Sequence, residues 1–295
     1  MGETKREAAL DTEGQVVLVV GGGRGLGRTI AEHCVREGYR TVVSARSVGE
    51  LQETANGIRR ELGAEAPISY FPCDVTSDSQ VRSLVNQTEA EVGPIYGLVC
   101  TAGAYGAIGL FDELPFSEWT KGFELNVFGP ARSVHAVAPL MKKRQTGRII
   151  LFAGGGQAAM PRFSSYVSSK GAIWRFTETL GAELAPHQVY LNAIAPGAVN
   201  TRLLDEILNL GPDVVGKEQH ERSLSQAAQG GVPPEKTGEL VLYLLSDKSK
   251  QLYGKTISAN YDRYLEITDP QAISDSEVFT MRRVVTVNGL TNYPE

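Results

Sequence analysis

The chain has 295 residues, of which 42% are hydrophobic and 21% charged, and a formal net charge of −5. That length can bury a proper core without staples, the composition excludes general disorder, and the acidic balance argues against a nucleic-acid-binding surface. Three scattered cysteines, Cys34, Cys73 and Cys100, make neither a disulfide framework nor a zinc motif and suit a reducing cytosol; the polar start and the lack of a long apolar run predict a cytoplasmic protein with no membrane span.

Along the chain, the apolar run Val16–Val20 predicts a buried strand. A glycine cluster follows, and then a helix over Arg28–Glu37 that Gly38 stops. The pattern recurs with strand 41–45 and helix 48–62, then strand 68–71 and helix 77–91. Tyr96–Cys100 and Arg148–Phe152 are further strands, flanking a long helix over 117–144 bent near Gly129-Pro130. A helix over 164–184, a strand over 189–193, a helix over 236–245 and a short strand over 256–259 complete the series. Strands that are apolar on both faces and alternate with helices predict an α/β, Rossmann-type doubly wound parallel sheet of about seven strands in one domain. The core spans about 15–260, with an insertion over 201–234 and a tail over 261–295. Excursions of that length are lids, binding loops or interface arms. Val278-Phe279 and Val284-Val285 around Arg282-Arg283 predict a tail that docks on the body or on a neighbouring subunit.

Gly21, Gly25 and Gly27 lie between the first strand and the first helix. Glycines there let the chain turn with positive φ, and let backbone N–H groups and a helix N-terminus meet a pyrophosphate. Arg24 lies inside the turn, and Arg46 follows the second strand where an acidic residue would bind a ribose 2′-hydroxyl. Arginine there accommodates a 2′-phosphate, so NADP(H) is expected over NAD(H). Tyr166 and Lys170 are four apart on a predicted helix and share a face. A nearby ammonium favours the phenolate, so Tyr166 is expected to have a lowered pKa and to exchange a proton with a carbonyl or alcohol oxygen. No two histidines have metal-ligand spacing, and no metal is expected.

Together these residues resemble the short-chain dehydrogenase/reductase family of the shorter, single-domain type, over roughly Gln15 to Ala259. The glycine turn, Asp74-Val75, Thr101-Ala102-Gly103, Asn126, Tyr166-x-x-x-Lys170, Asn192 and Pro196-Gly197 carry the likeness. The resemblance implies a reversible hydride transfer between nicotinamide and a ketone or secondary alcohol. In it Tyr166 is the acid/base, Lys170 the tuner of its pKa and the ribose anchor, and Asn126 part of a water-linked proton relay. It implies that Gly21, Arg24, Gly25, Leu26, Gly27 and Arg46 hold the cofactor. Asp74, Val75, Ala102 and Gly103 would do so around the adenine and the middle of the site. Pro196, Gly197, Val199 and Thr201, with Tyr166 and Lys170, would flank the nicotinamide. The family's usual serine before the tyrosine is replaced, because its position falls on Ala153 or Gly154. Three readings stay open. A glycine N–H, the Gln157 amide or the Thr101 hydroxyl replaces the serine; or Tyr166 and Lys170 act alone; or the chain binds cofactor without turnover, as a regulator or partner subunit. Ser164 and Ser165 beside Tyr166 are expected to cap the helix. An epimerase using bound nucleotide is the rival enzyme class. The resemblance also implies a homodimer or homotetramer acting on a small-molecule substrate.

Overall fold

A computed structural model describes residue 12 and residues 14–155 and 158–282. Seven parallel strands form one sheet in the order β3-β2-β1-β4-β5-β6-β7. They are β1 Val16–Val20, β2 Arg40–Ala45, β3 Ile68–Pro72, β4 Ile95–Cys100, β5 Gly147–Phe152, β6 Val189–Ala195 and β7 Thr256–Ser258. Successive side chains of a strand face opposite sides. Val17 and Val19 therefore pack against α1 (Gly25–Arg36), α2 (Val48–Leu62) and α9 (Pro234–Leu245). Val16, Leu18 and Val20 pack against α3 (Asp78–Glu91), α5 (Gly129–Arg144) and α6 (Ser164–Leu184). Both faces are covered, as the unbroken apolar strands require.

Local chemistry sets the helix ends. Ser47 and Ser77 accept from the backbone N–H of Glu50 and Gln80 and cap α2 and α3. Gly63, at φ 106°, ends α2. The first helix begins at Gly25, three residues before the sequence pattern places it, because its first turn is built from the glycine cluster itself. The long helix over 117–144 is two: α4 (Phe116–Phe123) and α5, joined by a π-turn at Glu124–Phe128. The interruption lies immediately before Gly129-Pro130, where the π-turn inserts a residue into the hydrogen-bond ladder. The segment 201–234 folds into α7 (Arg202–Val215), broken at Gly211 (φ 74°), and α8 (Lys217–Gln229).

The described part of the tail lies along the free edge of β7 and includes α10 (Pro270–Ser274). Thr256 N–H donates to the Phe279 carbonyl at 2.9 Å, and buried Lys255 Nζ donates to the Ser276 carbonyl at 2.6 Å. Arg282 pairs with Glu178 of α6 at 3.3 Å. The tail therefore docks on the body through residue 282; Arg283, Val284 and Val285 lie outside the described residues. No helix among the described residues is long and apolar enough to cross a membrane.

Candidate active site

The strand order reverses between β1 and β4, and ligands of open parallel sheets bind at the carboxyl ends of such neighbours. A cleft of about 1340 Å³ opens there. The glycine turn forms its floor. Gly21 N–H and Gly22 N–H donate to the Ser44 carbonyl at 2.7 and 3.1 Å, fixing the turn to β2. Thr101 and Ala102 N–H reach the Val20 carbonyl at 2.8 and 3.2 Å and fix it to β4. Gly21 has φ 94°, and a Cβ on it would stand 2.5 Å from Ala102 N. Gly25, at φ 51°, faces open space. Arg24 precedes α1 without a side-chain cap, so the first N–H groups of that helix are free to meet an anion. This cradle and its donors fit a dinucleotide.

Leu26, Gly27, Arg46, Asp74, Val75, Ala102, Gly103 and Thr201 line the same cleft. Asp74 accepts from Thr76 N–H at 2.9 Å and Thr76 Oγ1 at 2.8 Å. Those bonds, and then the Arg46 and Arg132 charges, hold its carboxyl below its ordinary value against the opposing effect of burial. Arg46 forms no ion pair among the described residues. Arg24 Nη1 donates to Glu50 Oε1 at 2.8 Å, and Arg202 Nη1 reaches the same oxygen at 3.3 Å. Glu50 went unremarked in the sequence, although it lies in the first turn of the helix that follows Arg46.

Tyr166 and Lys170 stand on α6 and, like Asn126, Pro196, Gly197 and Val199, are not among the residues that line the cleft; Gly103, which lines it, is their link to it. A Cβ on Gly103 would lie 3.5 Å from Lys170 Nζ. Tyr166 OH donates to the Gly154 carbonyl at 3.2 Å, and Lys170 Nζ donates to the Phe152 carbonyl at 2.9 Å. The ammonium lies 5.7 Å from the Tyr166 ring centre. Against the sequence expectation, the phenol is not made more acidic. Burial pushes Tyr166 up to about 12 and Lys170 down to about 8. Both charged forms are desolvated together, and the carbonyl of Phe152 takes the ammonium's hydrogen bond.

Asn126 is 1% exposed within the π-turn. Its Nδ2 donates to the Ala104 carbonyl and Ser169 Oγ at 2.8 and 2.9 Å, while Oδ1 accepts from Ala104 N–H at 3.0 Å. Its amide is thus occupied in joining the β4 loop to α6. Ser164 and Ser165 do not cap the helix. Ser164 Oγ accepts from Trp119 Nε1 at 3.0 Å and Ser165 Oγ donates to the Trp119 carbonyl at 2.7 Å. Both hydroxyls turn toward α4 because the helix starts beneath it.

The glycine run has a packing reason. A Cβ on Gly154 would lie 2.9 Å from Pro196 Cδ, and one on Gly155 (φ 94°) would lie 2.7 Å from Tyr166 Cε1. The tyrosine ring therefore lies over bare backbone. Of the proposed substitutes for the serine, the Thr101 hydroxyl is committed to the Val20 carbonyl at 3.0 Å. Gln157 lies outside the described residues. Pro196, Gly197 (φ 82°) and Val199 form the turn after β6, which Val232 N–H fastens by donating to the Ala198 carbonyl at 2.9 Å. Asn192 is not beside the site. It lies inside β6, where it bonds the Leu252 carbonyl and Lys255 N–H at 2.8 and 3.1 Å and ties β6 to the segment before β7. Cys100 is buried, which pushes its thiol up to about 12 and leaves it unreactive.

An apolar cluster missed in the sequence adjoins Tyr166. Tyr105 meets the Tyr166 ring edge-on at 4.8 Å and Phe163 at 5.2 Å, and Ile207 and Val215 of α7 are buried in the same cluster. Arg162, at φ 70°, donates to the carbonyls of Asp213 and Val214 and holds α7 to this cluster. Aromatic residues spread over loops and a lid share no sequence period, so no pattern marks them.

The family model for short chain dehydrogenase matches residues 15–209. The short-chain reductase protein NovJ of Streptomyces niveus is 33% identical over 87% of this chain and 96% of its own length. A putative ketoacyl reductase of Streptomyces coelicolor is 33% identical over 79% of this chain and 90% of its own length. The structure of a single-residue variant of actinorhodin polyketide ketoreductase with NADPH superposes with a TM-score of 0.75 at 30% identity, covering 84% of this chain and 98% of that one. NAD+-bound xylitol dehydrogenase superposes with a TM-score of 0.75 at 25% identity, with the same coverage.

Proposed function

Because the chain belongs to the short-chain dehydrogenase family, we propose that it is an NADP(H)-dependent oxidoreductase that reduces a ketone, or oxidises the corresponding secondary alcohol, with Tyr166 as acid/base. The observation that carries this reading is the Tyr166–Lys170 pair on α6, which Gly103 links to the cleft above the glycine turn. Bound NADP(H) supplies or accepts the hydride. Gly21, Gly25, Leu26 and Gly27 would present backbone to its pyrophosphate, and Arg24 and Arg46 would hold its 2′-phosphate. Asp74, Val75, Ala102 and Gly103 would hold its adenosine half, and Pro196, Gly197, Val199 and Thr201 its nicotinamide half.

A phenol pushed up by burial keeps its proton at neutral pH and has one to give to a carbonyl oxygen. Tyr166 OH leaves the Gly154 carbonyl and donates to the substrate oxygen as negative charge develops there. Lys170 supplies positive charge behind it. Asn126 serves the proton path by holding the β4 loop against α6, since its own amide is occupied. Half-buried Tyr105, edge-on to the Tyr166 ring, is the apolar surface beside the phenol, which suits a carbonyl on an apolar or aromatic body. The NADPH-bound ketoreductase and the putative ketoacyl reductase are relatives whose names agree with this reading. A cytoplasmic homodimer or homotetramer completes it.

The test is NADPH consumption against a carbonyl panel, with Tyr166→Phe as control. A panel without turnover, alongside tight NADPH binding, would favour the second reading that the bare Ala153-Gly154 position suggests: a cofactor-binding regulator. Substrate conversion without net NADPH change would favour an epimerase.

A further inference from the structure

We propose that Arg202, carried by the lid helix α7, is a further ligand of the NADP(H) 2′-phosphate, and that Glu50 holds its place until the phosphate arrives. The proposal rests on the NADP(H) reading above. Arg202 and Glu50 are 152 positions apart in sequence, yet their side chains meet at 3.3 Å. Arg24 reaches the same Oε1 at 2.8 Å. A guanidinium from the glycine turn and one from the lid therefore converge on a single carboxylate oxygen.

That carboxylate stands where the turn crosses the end of β2. A Cβ on Gly23 would lie 3.2 Å from Ala45 Cβ and 3.6 Å from Glu50 Oε2. Arg46, the residue after Ala45, opens onto the same cleft. Two cations thus pair with one anion, and a third, unpaired among the described residues, lines the same part of the cleft, where a ribose 2′-substituent belongs. A carboxylate carries one negative charge on two oxygens, whereas a phosphate monoester carries nearly two on three. The phosphate can accept from all three guanidinium groups, and bidentate guanidinium–phosphate bonds are strong. The ion pairs now present are easily exchanged, because Arg24 and Arg202 side chains are 55% and 68% exposed. Arriving phosphate would displace Glu50 and tie the lid to the cofactor itself. Since α7 also carries Ile207, buried in the cluster beside Tyr166, the 2′-phosphate would help to set that packing.

The experiment titrates the full chain with adenosine 2′,5′-bisphosphate and with adenosine 5′-monophosphate by calorimetry. Wild type is expected to prefer the bisphosphate. Arg202→Gln is expected to weaken the bisphosphate about 10-fold, the scale of one charged hydrogen bond, and the monophosphate less than about 2-fold. Glu50→Gln is expected to tighten the bisphosphate while leaving the monophosphate unchanged. Limited proteolysis gives a second readout: the bisphosphate should protect α7 in wild type and not in Arg202→Gln. Unchanged bisphosphate affinity in Arg202→Gln, with the wild-type preference intact, overturns this proposal alone. Weaker bisphosphate binding in Glu50→Gln overturns the placeholder role. A wild type that shows no preference overturns the NADP(H) reading itself.

Discussion

At the residue scale, the acidities of the proposed acid/base pair are set by burial more than by mutual attraction. Lys170 sits near 8 and Tyr166 near 12, so at neutral pH the ammonium is charged and the phenol carries its proton. Raising the pH through about 8 removes the charge on Lys170, and the rate of carbonyl reduction should fall across that interval. A rate profile flat from neutrality to well above that value would contradict this. Tyr166→Phe removes the proton donor and should lower kcat by about 10²–10⁴-fold with NADPH affinity nearly unchanged. Gly154→Ser tests the bare wall. Because Pro196 Cδ would lie 2.9 Å from the new Cβ, the added side chain should displace the turn after β6 and reduce the rate. A faster enzyme would show instead that the serine's role stood vacant.

At the element scale, the site depends on how α6 is joined to α4. Ser164 and Ser165 reach across to Trp119, and Trp119 stacks on Phe116 and Phe123 at 5.6 and 4.9 Å. Ser165 is fully buried, so Ser165→Ala leaves the Trp119 carbonyl without its donor. A loss of about 1–3 kcal/mol is expected by denaturant unfolding, together with a shift in tryptophan emission. Ser77→Ala, a true cap, should cost about 1 kcal/mol and leave emission unchanged. Equal emission shifts in the two variants would argue against the α4–α6 junction described here.

At the scale of the whole molecule, the tail closes the sheet. An edge strand with unpaired backbone groups invites association with another chain. Here the Phe279 carbonyl covers the Thr256 N–H, and Lys255 is buried beneath the tail. Deleting residues 265–295 should expose that edge, lower the unfolding temperature and change the oligomeric state seen by size-exclusion chromatography. A truncated chain with unchanged mass and melting would show that the tail is not needed for either.

The alternation of apolar strands and amphipathic helices was enough to specify the parallel sheet, because burial on both faces leaves an unbroken apolar run that can be read locally. Gly21, Gly25, Gly27, Tyr166 and Lys170 could be proposed from the sequence for a similar reason: each lies at a fixed spacing within one turn or one helix. The rest depends on distance in space. The crossing of Arg202 onto Glu50, the turning of Ser164 and Ser165 toward Trp119, and the aromatic cluster around Tyr105 join segments far apart in the chain. The acidities of Tyr166 and Lys170 were decided there as well, since desolvation depends on what the fold packs around a group and not on its neighbours in sequence.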